Sequence, residues 1–246
     1  MSDRDPTSPS PRTPFVLASG ALLIGILIAA IIFINRANLP PAASTSSSAS
    51  ASASSSPSAT PSTIPYADCT TATFGAPLAP SGEPADPHVY SAAPAMQIDT
   101  TKLYEATITT ARGTIVMCLQ PDLAPVAVNN FVVLARNHFY DGLKFHRVVA
   151  DFVVQGGDPK GDGSGGPGYT IAEEPVHQQY VLGSIAMAKT SAPHTTGSQF
   201  FICIADDSTK LQPLYSLFGK VASGLSVAQA TQQGDVMQSV TVTQQT

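Results

Sequence analysis

The sequence has no tryptophan, three cysteines and only 12% charged residues, and these shortages narrow what it can do. Its 12 Lys and Arg are scattered without a basic run of five, so the electrostatic footprint of a nucleic-acid binder is missing. Cys69, Cys118 and Cys203 are too dispersed for a zinc site, and the five histidines show no paired ligand spacing. No metal and no cofactor is expected. The glycine-rich stretch Gly161-Asp162-Gly163-Ser164-Gly165-Gly166 lacks the Gly-Lys-Ser/Thr ending of a phosphate loop and reads as a turn. With charge this thin and 21 prolines, a sizeable part of the chain lies outside any packed core.

What is present divides the chain into five parts. Residues 1–14 form a short tail, and Phe15 to Ile34 is an unbroken apolar run of about twenty residues. At roughly 1.5 Å per residue such a run crosses the ~30 Å hydrocarbon layer as a helix. It is longer than the apolar part of a cleaved signal, and no small-x-small cleavage site follows, so it reads as a retained anchor. Arg4 and Arg12 precede it and only Arg36 follows closely, which puts the N-terminus in the cytoplasm and the remainder outside. Residues 35–65 are almost entirely Ser, Ala, Thr and Pro, a disordered stalk with too little apolar surface to offset the entropy of ordering. Residues 66–102 stay Pro-rich but carry Cys69, Tyr90 and Met96, and are expected to lie along the domain formed by residues 103–246.

From Leu103 onward, apolar runs alternate with Gly and Pro in the manner of short strands. Thr107–Leu119 reads as a hairpin turning near Arg112-Gly113, with Ile115, Met117 and Leu119 on one face and Cys118 on the other. Pro125 opens a helix whose Ala127, Val128, Phe131, Val132, Leu134 and Ala135 share a face. Further strands are predicted at Lys144–Val149, Phe152–Gln155, Ser184–Ala188, Phe200–Ile204 and Leu217–Val221, with a second short helix around Leu225–Thr231. Mostly strands with two helices means a barrel or sandwich with helical caps.

Three blocks in this region resemble the signatures of the cyclophilin family. They are Phe145-His146-Arg147-Val148-Val149-Ala150-Asp151-Phe152-Val153-Val154-Gln155-Gly156-Gly157-Asp158, then Ile185–Thr190 with Gly197-Ser198-Gln199-Phe200-Phe201-Ile202, then Tyr215-Ser216-Leu217-Phe218-Gly219-Lys220-Val221. The resemblance runs from about Tyr104 to Gln229. It implies a closed eight-stranded antiparallel barrel capped by two helices, and peptidyl-prolyl cis/trans isomerase activity.

That activity rotates the bond before proline against a barrier of about 18–20 kcal/mol, which comes from the partial double-bond character of the amide. It needs no nucleophile. By resemblance Arg147 is the catalytic arginine, donating to the prolyl carbonyl and to the ring nitrogen as its lone pair localises. Phe152, Val153, Phe201 and Leu211 match the positions that hold the proline ring, and Gln155 the one that binds substrate backbone. His146, Gln199 and Tyr215 match rim positions, while Ala188 and Lys189 present backbone groups to the peptide. Many members bind cyclosporin through a tryptophan immediately before the position of Leu211, where this chain has Lys210.

The expected partners are Xaa-Pro-containing polypeptides, exported or unfolded, and the membrane through one N-terminal helix. The chain is expected to be a monomer. A non-catalytic module for Pro-containing peptides is the rival from another class, and a chaperone the third reading. Export and the outward direction of Cys118 suggest a Cys69–Cys118 disulfide, with Cys203 as the free thiol.

Overall fold

The computed structural model describes residues 63–82, 84 and 86–246. The expected tail, membrane helix and stalk through residue 62 lie outside the described residues. Among the described residues no helix is long and apolar enough to cross a membrane.

The strands are β1 Phe74–Pro77, β2 Tyr104–Thr110, β3 Gly113–Leu119, β4 Arg147–Val149, β5 Val153–Gly156, β6 Ser184–Met187, β7 Phe200–Cys203, β8 Leu217–Ser223 and β9 Ser239–Gln245. Helix α1 is Pro125–Arg136 and α2 is Leu225–Ala230. All neighbouring strands are antiparallel, in the order β1-β9-β2-β3-β8-β6-β7-β5-β4.

Two features correct the expected closed eight-stranded barrel. The described sheet has nine strands, because residues 74–77 add β1 to the outer edge of β9. Pro77 is tolerated there because an edge strand need not donate every N–H. The sheet also does not close as a ladder: β4 and β1 are both edges, and the gap is spanned by the single bridge Lys144↔Val236. Around it Gly142, Met237, Phe145 and Gly234 donate in turn to the carbonyls of Met237, Leu143, Asp235 and Phe145. Gly142 and Gly234 have φ of 79° and 95°, a left-handed backbone that interrupts the pleat and prevents regular pairing.

Because successive strand residues point to opposite faces, the pleat sorts the central strands into two apolar layers. Val154, Ile185, Met187, Phe200, Ile202 and Phe218 turn inward to the main core with α1, where Phe131 stacks 4.7 Å from Tyr140. Val153, Ala186, Phe201, Cys203 and Leu217 turn the other way into a second cluster. The second cluster is the floor of the site described below.

Helix α1 begins at Pro125 after Ala124, which offers no side-chain cap. Glu174 supplies the cap from a distant loop, accepting the Val126 and Ala127 N–H groups at 2.8 and 2.9 Å. Burial outweighs these bonds and raises the Glu174 carboxyl above its ordinary pKa.

The described residues of 63–102 lie against the sheet and α1. A disulfide joins Cys69 to Cys118 with Cα atoms 5.6 Å apart. Cys118 faces away from Ile115, Met117 and Leu119, and the segment covers it, leaving it 3% exposed. Asn129 of α1 and Asn137, which caps its C-terminus, hold the segment further along: Asn129 accepts the Gln97 N–H and Asn137 the Ser81 N–H, each at 2.8 Å.

Candidate functional site

The register across the outer face sets five residues in one row: Arg147 opposite Gln155, Gln155 opposite Phe201, Phe201 opposite Ala186, and Ala186 opposite Leu217. The row runs from an exposed cation on the edge strand to buried apolar side chains at the centre. β4 being an edge strand, the Arg147 side chain is exposed. Its Nη1 donates to Gln155 Oε1 at 3.3 Å, and its guanidinium carbon lies 6.0 Å from the centre of the Phe152 ring.

Gln155 then donates through Nε2 to Gln199 Oε1 at 2.9 Å, and Gln199 donates to the carbonyls of Gly163 and Gly165, both at 2.9 Å. This chain aims the Gln155 oxygen at the arginine. Gly157, with φ of 83°, makes the approach of β5 to Ser198 possible, because a Cβ there would sit 2.5 Å from the Ser198 carbonyl. Ser198 Oγ donates to the Gly157 carbonyl at 2.7 Å.

Arg147, Phe152, Val153, Gln155, Ala188, Lys189, Phe201, Leu211 and Tyr215 line one open groove of about 250 Å³. Gln199 lines an adjoining cleft of about 240 Å³ formed by the Gly163–Thr170 loop, which shares Gln155, Ala188 and Lys189 with the groove. His146 lines neither cleft. Burial holds its imidazole below the ordinary histidine value, with the Asp158 carboxylate opposing, so it is neutral at pH 7. The Ala188 N–H donates to the Gln199 carbonyl at 2.8 Å.

On the far wall, Tyr215 meets Phe201 edge to face at 5.5 Å. Lys210 Nζ stands 5.9 Å from the Phe152 ring centre, bound to the Asp151 carbonyl at 2.7 Å and to the fully buried Asp207 at 3.0 Å. The sequence reading missed Tyr180 and Tyr66, which pack beneath this wall. Both sit in irregular, polar stretches that carry no periodic signal.

No Ser, Cys, His, Asp or Glu is among the nine lining residues of the groove. The groove offers the Arg147 donor beside an apolar floor. Residues 105–246 match the family model described as cyclophilin type peptidyl-prolyl cis-trans isomerase/CLD. A peptidyl-prolyl cis-trans isomerase of Helicobacter pylori is 48% identical over 139 residues, covering 55% of this chain and 84% of the relative. Peptidyl-prolyl cis-trans isomerase B of Bacillus subtilis is 47% identical over 126 residues, covering 50% and 87%. The crystal structure of a cyclophilin type isomerase from Cryptosporidium parvum aligns with a TM-score of 0.53 at 27% identity, covering 57% of this chain and 97% of that one. The chain belongs to the cyclophilin-type peptidyl-prolyl cis-trans isomerase family and is an enzyme of that class.

Proposed function

We propose that the groove rotates Xaa-Pro bonds of exported or unfolded polypeptides and so assists their folding, with Arg147 as the catalytic residue. The row Arg147–Gln155–Phe201 carries this reading. A proline ring resting on Phe152, Val153 and Phe201 brings its amide under the guanidinium. Twisting breaks conjugation and localises the nitrogen lone pair, and a donor waiting there stabilises the twisted state more than either planar one. Excluding water over the apolar floor favours the same, less polar form. Lowering the barrier by about 7 kcal/mol corresponds to roughly 10⁵-fold acceleration. Support also comes from a structure of the Cryptosporidium parvum relative determined in the presence of the dipeptide Ala-Pro, with a TM-score of 0.50 at 28% identity.

The test is cis/trans exchange of an Ala-Pro peptide, measured on the full chain and on a fragment starting no later than residue 63. That start is needed because Gln178 and Gln120 donate to the carbonyls of Ile64 and Pro65. Exchange supports the catalyst; binding without exchange would make the chain a Pro-peptide-binding module or chaperone. We also propose that the enzyme works as a monomer outside the cytoplasm, anchored by residues 15–34. The apolar run and the disulfide, a bond that persists mainly in oxidising compartments, support this placement. Protease accessibility in intact cells tests it.

With burial holding the His146 imidazole below the ordinary histidine range, kcat/KM is expected to vary less than about twofold between pH 7 and 9. A bell-shaped profile in that window would assign the chemistry to a titrating group and not to the arginine.

Cyclosporin is expected to bind weakly. Replacing a buried indole by the Lys210 ammonium costs roughly 2–4 kcal/mol, or about 30- to 1000-fold in affinity. Lys210→Trp alone would strand the buried Asp207 carboxylate without its cation. The restoring variant is therefore Lys210→Trp with Asp207→Asn, which should tighten the drug by at least about tenfold. Unchanged drug affinity in the pair would refute the placement of Lys210.

A further inference from the structure

The wall of the groove facing Arg147 is built by residues 204–216, which contain neither helix nor strand yet carry Leu211 and Tyr215. Such a stretch does not hold a side chain in place by itself, since irregular segments lack a repeating hydrogen-bond ladder. Tyr180 supplies the missing restraint. Its carbonyl accepts the Asp207 N–H at 2.9 Å near the start of the stretch. Its hydroxyl accepts the Tyr215 N–H at 2.9 Å and donates to the Tyr215 carbonyl at 2.7 Å near the end.

Gripping the N–H and C=O of one residue fixes the orientation of both flanking peptide planes. The ring is 2% exposed, with its centre 6.3 Å from those of both Phe201 and Tyr215. The turn that bears Tyr180 is held in its own right. Tyr66 Oη lies 2.9 Å from the Gln179 carbonyl, to which it donates, and 2.8 Å from Ser184 Oγ, which also accepts the Val181 N–H at 2.9 Å. Tyr66 precedes the family-matched residues 105–246 and sits three residues before the disulfide at Cys69.

We infer that Tyr180 is a positioning residue for substrate, fixing the Leu211–Tyr215 wall, and that Tyr66 fixes the Tyr180 turn from outside the family domain. This rests on the reading that Xaa-Pro peptides occupy the groove. Tyr180→Phe keeps the ring and removes both bonds to Tyr215. The KM of an Ala-Pro peptide should then rise about 5- to 10-fold while kcat changes less than about twofold, because Arg147 and Gln155 stand on β4 and β5. Tyr66→Phe should raise KM about 2- to 3-fold in the same direction. Asn137→Ala removes a buried bond far from the groove; it should lower the melting temperature and leave KM unchanged.

A Tyr180→Phe enzyme that melts lower but keeps the parental KM would reduce Tyr180 to a structural role and overturn the inference. If that variant does not fold, Tyr66→Phe decides, and a parental KM there overturns it. Peptide Kd by calorimetry is measured alongside. A parent that binds without exchanging removes the catalytic reading, and the same fold-changes are then sought in Kd. A parent that does neither removes both.

Discussion

Arg147→Ala is expected to lower kcat/KM for Xaa-Pro exchange by about 10²–10³, the range lost when one preorganised donor is removed from a transition state. The fold should be untouched, because Arg147 is an exposed residue of an edge strand whose side chain bonds only weakly, at 3.3 Å, to Gln155. Peptide Kd should change by less than about threefold, since Phe152, Val153 and Phe201 remain to hold the ring. The loss therefore belongs in kcat. Arg147→Lys should recover only part of it: a lysine keeps the charge but lacks the planar fork that can reach two acceptors at once. Activity of the alanine variant within about threefold of the parent would sink the assignment.

Removing the disulfide is expected to have the largest effect on stability. Cys69 and Cys118 are 49 residues apart, and in the chain-entropy account closing a loop of that length stabilises by about 4 kcal/mol. Cys69→Ser with Cys118→Ser should then lower the melting temperature by roughly 10 °C, at about 2–4 °C per kcal/mol for a domain of this size. Reductant should do the same to the parent. The comparison is clean because Cys203 is fully buried, and burial together with the nearby Asp207 raises its thiol well above the ordinary range, leaving it unreactive. Melting curves that coincide with and without reductant would mean that the disulfide adds nothing to the stability of the fold. A higher KM in the double variant would further tie the disulfide to Tyr66 and the groove wall.

Where the sequence was legible, the signal was local. Alternation in Gly113–Leu119 separates Ile115, Met117 and Leu119 from Cys118, and the structure keeps that division, with the lead segment covering the second face. The same alternation sends Phe200 into the main core and Phe201 to the groove floor. Val128, Phe131, Val132 and Ala135 are buried in α1 as their spacing suggests, but Asn129, Asn130 and Val133 are buried too, so the helix is covered on more than the one expected face. The site was legible for a different reason: eight of the nine groove residues come from short blocks whose order of residue types resembles one family, and Leu211 was placed by counting back from the last of them. His146 and Gln199 belonged to the same blocks, yet they fall outside that groove: each sits one residue before its strand, His146 before β4 and Gln199 before β7, where Gln199 lines the adjoining cleft.

β9 was missed although Ser239–Gln245 alternates, with Val240 and Val242 inward, because its remaining residues are polar and its value as a strand depends on pairing with β2, 130 or more residues earlier. β1 depends on β9 in turn. The Glu174 cap reaches α1 across 48 residues, and Tyr180 holds Tyr215 across 35. Periodicity and turn residues act over a few residues and were sufficient to place the strands of the groove and helix α1, while the resemblance supplied the side chains of the floor. The open seam, the ninth strand, the remote cap and the grip on the groove wall were decided by the tertiary structure alone. Each is a bond between segments that meet only after the intervening loops have closed, and nothing in either segment by itself specifies its partner.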